Sequence, residues 1–161
     1  MLDVTTEPSR LVTRLRLGLG VLLVGLCLSG CTSSSVAADL DAHQGRWEGQ
    51  GIDLYKMTLA FNTPTRDEQT LDVLVRDGKV DRAFLNMKRV QVQDDGSVHG
   101  MPSTVDDLFD VVRDSGDAKT VTVTWDDELG YPTSIAVDGS ALYDDNFTIE
   151  VRSLVPLEEA A

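Results

Sequence analysis

The sequence predicts an α+β domain: a curved antiparallel β-sheet, built from a hairpin and a C-terminal three-strand meander, with two helices packed on one face. Three observations carry this expectation. Apolar residues alternate with period two in "DLYKMTLAF", "TVTVTW", "TSIAVD" and "NFTIEVRSL", which puts every second side chain on one face of a strand. The stretch "STVDDLFDVVRDSGD" joins a capping residue, early aspartates, an apolar stripe and a closing glycine, the marks of an amphipathic helix. Asp77-Gly78 separates two alternating runs, where a two-residue turn needs positive φ angles. A chain of 161 residues has room for one such domain, since domains cluster near about 100–150 residues.

Taken in order, the chain opens with Arg10, Arg14 and Arg16, followed by the uncharged "LGLGVLLVGLCLSG" and then small and polar residues. This is the layout of a secretion signal. The run from Leu17 to Leu28 is too short to cross a bilayer, which takes about 20 apolar residues. Leu28-Ser29-Gly30-Cys31 resembles the lipobox of bacterial lipoproteins in all four positions. The resemblance implies that Cys31 is thioether-linked to diacylglycerol, that residues 1–30 are a signal removed before it, and that Cys31 becomes the mature N-terminus. Cys27 then leaves with the signal, and no thiol remains for a disulfide or a thiolate site. One acyl chain binds a membrane only marginally, whereas two hold a protein there stably.

Residues 31–38 form a short polar tether with the composition of a flexible linker. The domain is expected over residues 39–157. A short helix is expected from Asp39 to about Gln50, with Asp39 or Asp41 as cap and Leu40, His43, Gln44 and Trp47 at helical spacing. A strand follows in which Tyr55, Met57, Leu59 and Phe61 share a core face. "NTPTRDEQ" is read as a loop, "TLDVLVRDGKVDRAFL" as a hairpin, and residues 88–98 as an additional short edge strand. The second helix starts at Ser103 or Thr104. Three strands then carry Val121, Val123 and Trp125, Ile135 and Val137, and Phe147, Ile149 and Val151 inward, with Thr, Ser, Glu and Arg on a wet outer face.

Within this C-terminal half, Trp125 and Asp126 precede Gly130-Tyr131-Pro132, a strand ends in Asp138, and Asp144 and Asp145 open the last strand. With Trp47, Ile52, Tyr55 and "VLVRDGKV" upstream, these residues resemble the secreted bacterial proteins grouped as domain of unknown function 6174, over about residues 44–154. The resemblance implies location and fold and supplies no reaction. Many members carry a cysteine pair just after the first strand. Here Phe61, Asn62 and Thr63 stand in that region, so a role tied to that pair does not transfer.

Chemistry is sparsely represented. The chain has two histidines, His43 and His99, and without partners both are read as packing or surface residues. No nucleophile elbow, zinc-binding helix or phosphate loop occurs, so no catalytic residue and no transition-metal site is assigned. The carboxylates divide between two sheet ends: Asp126, Asp127 and Glu128 at one, and Asp138, Asp144 and Asp145 at the other. The second set is the weak candidate for a calcium site, set against the ordinary use of aspartate in turns; no other cofactor is expected.

From residue 31 onward there are 11 basic and 25 acidic residues, a balance of −14. That field repels phosphate backbones, so no nucleic-acid partner is expected, while an envelope protein or a basic ligand is permitted. The expectation is therefore a monomeric domain anchored through diacylglycerol on Cys31, extracytoplasmic, serving as a binding or interaction module on the outer side of a bacterial membrane. Two alternatives stay open: a carboxylate-dependent hydrolase of cell-envelope glycans, which needs two facing acids, and an accessory structural subunit of an envelope complex, which needs a large exposed apolar patch.

Overall fold

The computed structural model describes residues 34–94, 96–139 and 146–158. All of them belong to the second of two units into which the chain divides, residues 31–161. The order is α1 (Ser34–Gln50), β1 (Leu54–Thr63), β2 (Arg66–Arg76), β3 (Lys79–Leu85), β4 (Lys88–Val90), α2 (Val105–Asp114), a 3₁₀ turn (Ser115–Asp117), β5 (Thr120–Trp125), β6 (Pro132–Asp138) and β7 (Phe147–Pro156). The seven strands make one open sheet in the order β4-β3-β2-β1-β7-β6-β5, and every neighbouring pair is antiparallel. This is the expected α+β architecture. The hairpin half and the meander half are joined by the first and last strands, which pair at the centre with Ala60 opposite Glu150.

Alternation decides which way each strand faces. Tyr55, Met57 and Leu59 lie opposite Val75, Val73 and Leu71, and these six form one buried cluster with Ile135 and Ile149. Helix α2 closes this face with Val105, Leu108, Phe109 and Val112, and α1 adds Leu40 and Trp47. Tyr55 shows that both helices lie on the same side of the sheet. Its ring meets Trp47 of α1 edge-on at 5.5 Å, and its hydroxyl accepts the Val105 N–H of α2 at 3.0 Å.

The start of α2 is satisfied from within. Thr104 Oγ1 accepts the Asp107 N–H at 3.1 Å, while the Asp107 carboxylate accepts the N–H groups of Thr104 at 3.0 Å and Ser103 at 2.8 Å. This reciprocal cap occupies donors that a helix otherwise leaves unpaired. The Tyr55 hydroxyl takes one more. Tyr55→Phe leaves the buried Val105 N–H without that acceptor and should cost about 1–3 kcal/mol in urea unfolding; a loss too small to measure would contradict this role. Burial pushes the Tyr55 phenol well above its ordinary range, with Asp106 and Asp107 adding to the rise against the Val105 hydrogen bond. A raised native pKa gives stability that is full below the free phenol's value of about 10 and is lost above it. Tyr55→Phe should therefore also flatten the alkaline limb of the stability profile.

Two local expectations are corrected. Helix α1 begins at Ser34, inside the stretch read as a flexible tether, so Asp39 and Asp41 fall within the helix and do not cap it. The stretch read as a loop, residues 62–69, is mostly strand: β1 runs to Thr63, β2 starts at Arg66, and only Pro64 and Thr65 turn. Polar side chains hid this extension because ladder hydrogen bonds belong to the backbone. Asn62 pairs with Thr148 and Thr63 with Arg66, beyond the reach of the apolar pattern.

Candidate functional site

The acidic loop before Gly130-Tyr131-Pro132 is occupied in holding α1. Asp126 Oδ1 accepts the N–H groups of Glu128 at 3.0 Å and Leu129 at 2.7 Å, a turn that aspartate favours. The loop's carbonyls are then presented to the helix: Arg46 donates to the Asp127 carbonyl at 3.0 Å and Gln50 to that of Glu128 at 3.4 Å. Gly130, at φ +89, lies against the helix backbone, and a Cβ there would meet the His43 carbonyl at 2.7 Å. Tyr131 turns its edge to Trp47 at 6.2 Å. Burial raises the Tyr131 pKa, and the neighbouring Asp126 raises it further.

Next to this clasp, Trp125 stacks on a ring from each helix. His43 of α1 stacks on it at 4.5 Å and 5°, and Phe109 of α2 at 6.0 Å and 22°. His43 Nδ1 is buried with no hydrogen-bond partner among the described residues. His99 occupies a positive-φ turn and lines a shallow surface groove with Asp94. At the start of α2, burial raises the Asp106 pKa, with Asp107, Glu48 and Asp110 adding to the effect.

Asp138 ends β6 at the other end of the sheet, where its carboxylate pairs with Lys119 at 3.3 Å. Asp144, Asp145 and Cys31 lie outside the described residues. Among the described residues no group of three or more metal-ligating side chains converges, and no helix is long and apolar enough to cross a membrane.

Two depressions that the sequence did not disclose lie at this same end, on either side of the β1–β7 junction. The larger, ≈ 580 Å³, has Phe61, Val111, Phe147 and Ile149 as apolar walls and Arg66, Asp67 and Gln69 among its polar residues. The smaller, ≈ 320 Å³, is lined by Thr120, Thr122, Asp138 and Asn146 among others. Asn62, Thr63, Phe147 and Thr148 belong to both. The Thr63 hydroxyl in this shared wall is buried with no hydrogen-bond partner among the described residues. Among the described residues each depression contains one carboxylate, Asp67 in the larger and Asp138 in the smaller. No local signal marks this site, because strands β1, β2 and β7, the turn at Gly100–Pro102 and helix α2 all contribute to it.

With this geometry established, comparison with known proteins gives one match. The family described as a family of unknown function (DUF6174) matches residues 39–156. The chain belongs to this family. Its DUF6174 domain thus takes in most of α1, the whole sheet and α2, together with the Gly130 clasp and both depressions. No curated protein and no solved structure matches the chain.

Proposed function

We propose that this protein is a lipid-anchored cell-envelope component, held through Cys31, whose DUF6174 domain is a binding module on the outer side of the membrane. The observation that carries the binding reading is the ≈ 580 Å³ depression, with apolar walls and a polar rim at the β1–β7 junction. Apolar surface beside a few placed polar groups is the general composition of ligand sites. The unpartnered Thr63 hydroxyl in its wall favours a ligand that brings a hydrogen-bonding group together with apolar surface. In the acidic loop at 126–128 the Asp126 carboxylate closes the turn and the Asp127 and Glu128 carbonyls hold α1, and the depression is favoured over this loop because it pairs apolar walls with polar groups.

A glycan hydrolase would need two facing acids, and each depression has one among the described residues. An accessory subunit would need a broad apolar patch, and the exposed large hydrophobics among the described residues are Met87 and Val155, on different elements.

One experiment separates the anchor from the site. Envelope fractions are cross-linked in cells carrying the wild type, Cys31→Ser or Thr148→Arg, the last putting a long charged side chain on the wall shared by both depressions. Cys31→Ser should release the protein from membranes or leave its leader uncleaved. Thr148→Arg should stay anchored and folded but lose at least tenfold in cross-linked partner. Unchanged attachment and mature size in Cys31→Ser would overturn the anchor; unchanged cross-linking in Thr148→Arg would overturn the site.

A further inference from the structure

The balance of −14 from residue 31 onward averages over unlike surfaces. Lys56, Arg76, Lys79, Arg82 and Arg89 are all exposed and alternate with core-facing neighbours, so they gather on the helix-free face of β1–β4. Arg82 and Arg89 also line a groove of ≈ 440 Å³ at the β3–β4 edge, in which Asp81 is the one acid among the described residues. Lys88, Arg82 and Arg89 have no ion pair among the described residues, whereas Arg113, Lys119 and Arg152 pair with Asp110, Asp138 and Glu68.

At the tip of this hairpin stands Met87, 90% exposed. Its backbone is unfavourable as well: Asn86 and Met87 have φ of +48 and +65, a turn type that normally takes Asn-Gly. The neighbouring β2–β3 turn has φ of +52 and +71 and uses Asp77-Gly78. Met87 therefore holds a glycine position against backbone preference while exposing apolar surface to water. The tip is also rigidly mounted. The Asn86 N–H donates to the Thr70 carbonyl at 2.8 Å, and the Thr70 N–H donates to Asn86 Oδ1 at 2.9 Å.

We propose that the β3–β4 tip docks on an anionic phospholipid bilayer, with Met87 entering the headgroup–acyl boundary and Arg82, Lys88 and Arg89 on the lipid phosphates. A single projecting apolar side chain needs no complementary pocket in a bilayer, whereas a stable protein interface needs about 1,000 Å² or more of matched surface. Free phosphate would satisfy the arginines and leave Met87 without a role. Basic side chains near an anionic leaflet attract it over a short, screened distance. The acidic remainder of the domain is repelled by the same leaflet, so the contact also sets the orientation of the domain.

The test uses the full chain, processed by its host, in lipid nanodiscs, with its methionine methyl groups isotopically labelled and a spin label carried by the lipid. In phosphatidylglycerol discs the Met87 methyl signal should broaden beyond detection while that of Met57, 1% exposed, stays sharp. The effect should vanish in phosphatidylcholine discs, in about 1 M salt where the screening length is about 3 Å, and in Lys88→Glu/Arg89→Glu. Inorganic phosphate at millimolar concentration should not compete. Met87→Gly, which suits the turn, should melt no lower than the wild type and assigns the signal by its loss. A Met87 signal that stays sharp in phosphatidylglycerol, broadens equally in phosphatidylcholine, or is restored by inorganic phosphate would overturn the proposal.

Discussion

Gly130→Ala should detach helix α1 from the sheet and produce one of the largest stability losses available to a single methyl group in this protein. The added Cβ would stand 2.7 Å from the His43 carbonyl, 3.0 Å from Arg46 Cβ and 3.2 Å from the Trp47 backbone nitrogen, with φ at +89. Two costs combine. An L side chain in left-handed backbone loses about 1–2 kcal/mol, and forcing extra volume into a packed contact adds about 1–3 kcal/mol. Together they amount to about 2–5 kcal/mol, a large share of the 5–15 kcal/mol typical of a folded domain. The atoms in the way are mainly helix backbone, so relief requires α1 to move away from Tyr131 and Trp125. Equilibrium unfolding monitored by tryptophan fluorescence reads the effect. Gly49→Ala is the control: nothing lies within 4 Å of that added Cβ, it is inside α1, and the change should stabilise by up to about 1 kcal/mol. A Gly130→Ala loss below about 1 kcal/mol would mean that the clasp gives way easily.

Phe109→Ala should cost about 3–5 kcal/mol, the range for removing a large aromatic from a core. Phe109 is 1% exposed and stacks on Trp125 at 6.0 Å, so the cavity would open between α2 and β5. The consequence extends across the molecule because Trp125 also carries His43 of α1 at 4.5 Å. Trp125 emission should shift to the red as water reaches its face, and Phe109→Leu should recover more than half of the loss. If Phe109→Ala and Phe109→Leu proved equally mild, the three-ring stack would not be what couples the helices.

Much of the fold is legible in sequence because its signals are local. Val121, Val123 and Trp125 alternate with threonines at residues 120, 122 and 124, and β5 keeps that alternation in its burial. Thr104 and Asp107 stand three residues apart, which suffices for a reciprocal cap. Asp77-Gly78 forms the expected turn. The failures are also physical. Arg66–Gln69 are polar and exposed or half-buried, so no apolar pattern reveals that their backbone pairs with β1. Asn86-Met87 lacks the glycine that marks such a turn, so the tip now proposed to meet lipid gave no turn signal.

The candidate sites divide along the same line. The charges of β1–β4 could have been sorted by face, since Lys56, Arg76, Arg82 and Arg89 occupy the outward places of strands whose inward residues were already evident. The depression around Thr63 could not have been found that way. It requires Phe61 beside Ile149, and its remaining walls come from the Gly100–Pro102 turn and Val111, contacts that span most of the chain.

What the sequence determined by itself is the set of elements, their buried faces and the cap that starts α2, because each depends on residues two to four positions apart. Tertiary structure decided that the first and last strands meet at the centre, that the carbonyls of the acidic loop hold α1, and that Lys56, Arg76, Lys79, Arg82 and Arg89 share one face. Those outcomes depend on which apolar face buries against which, and that choice is made only when the whole sheet closes over its helices.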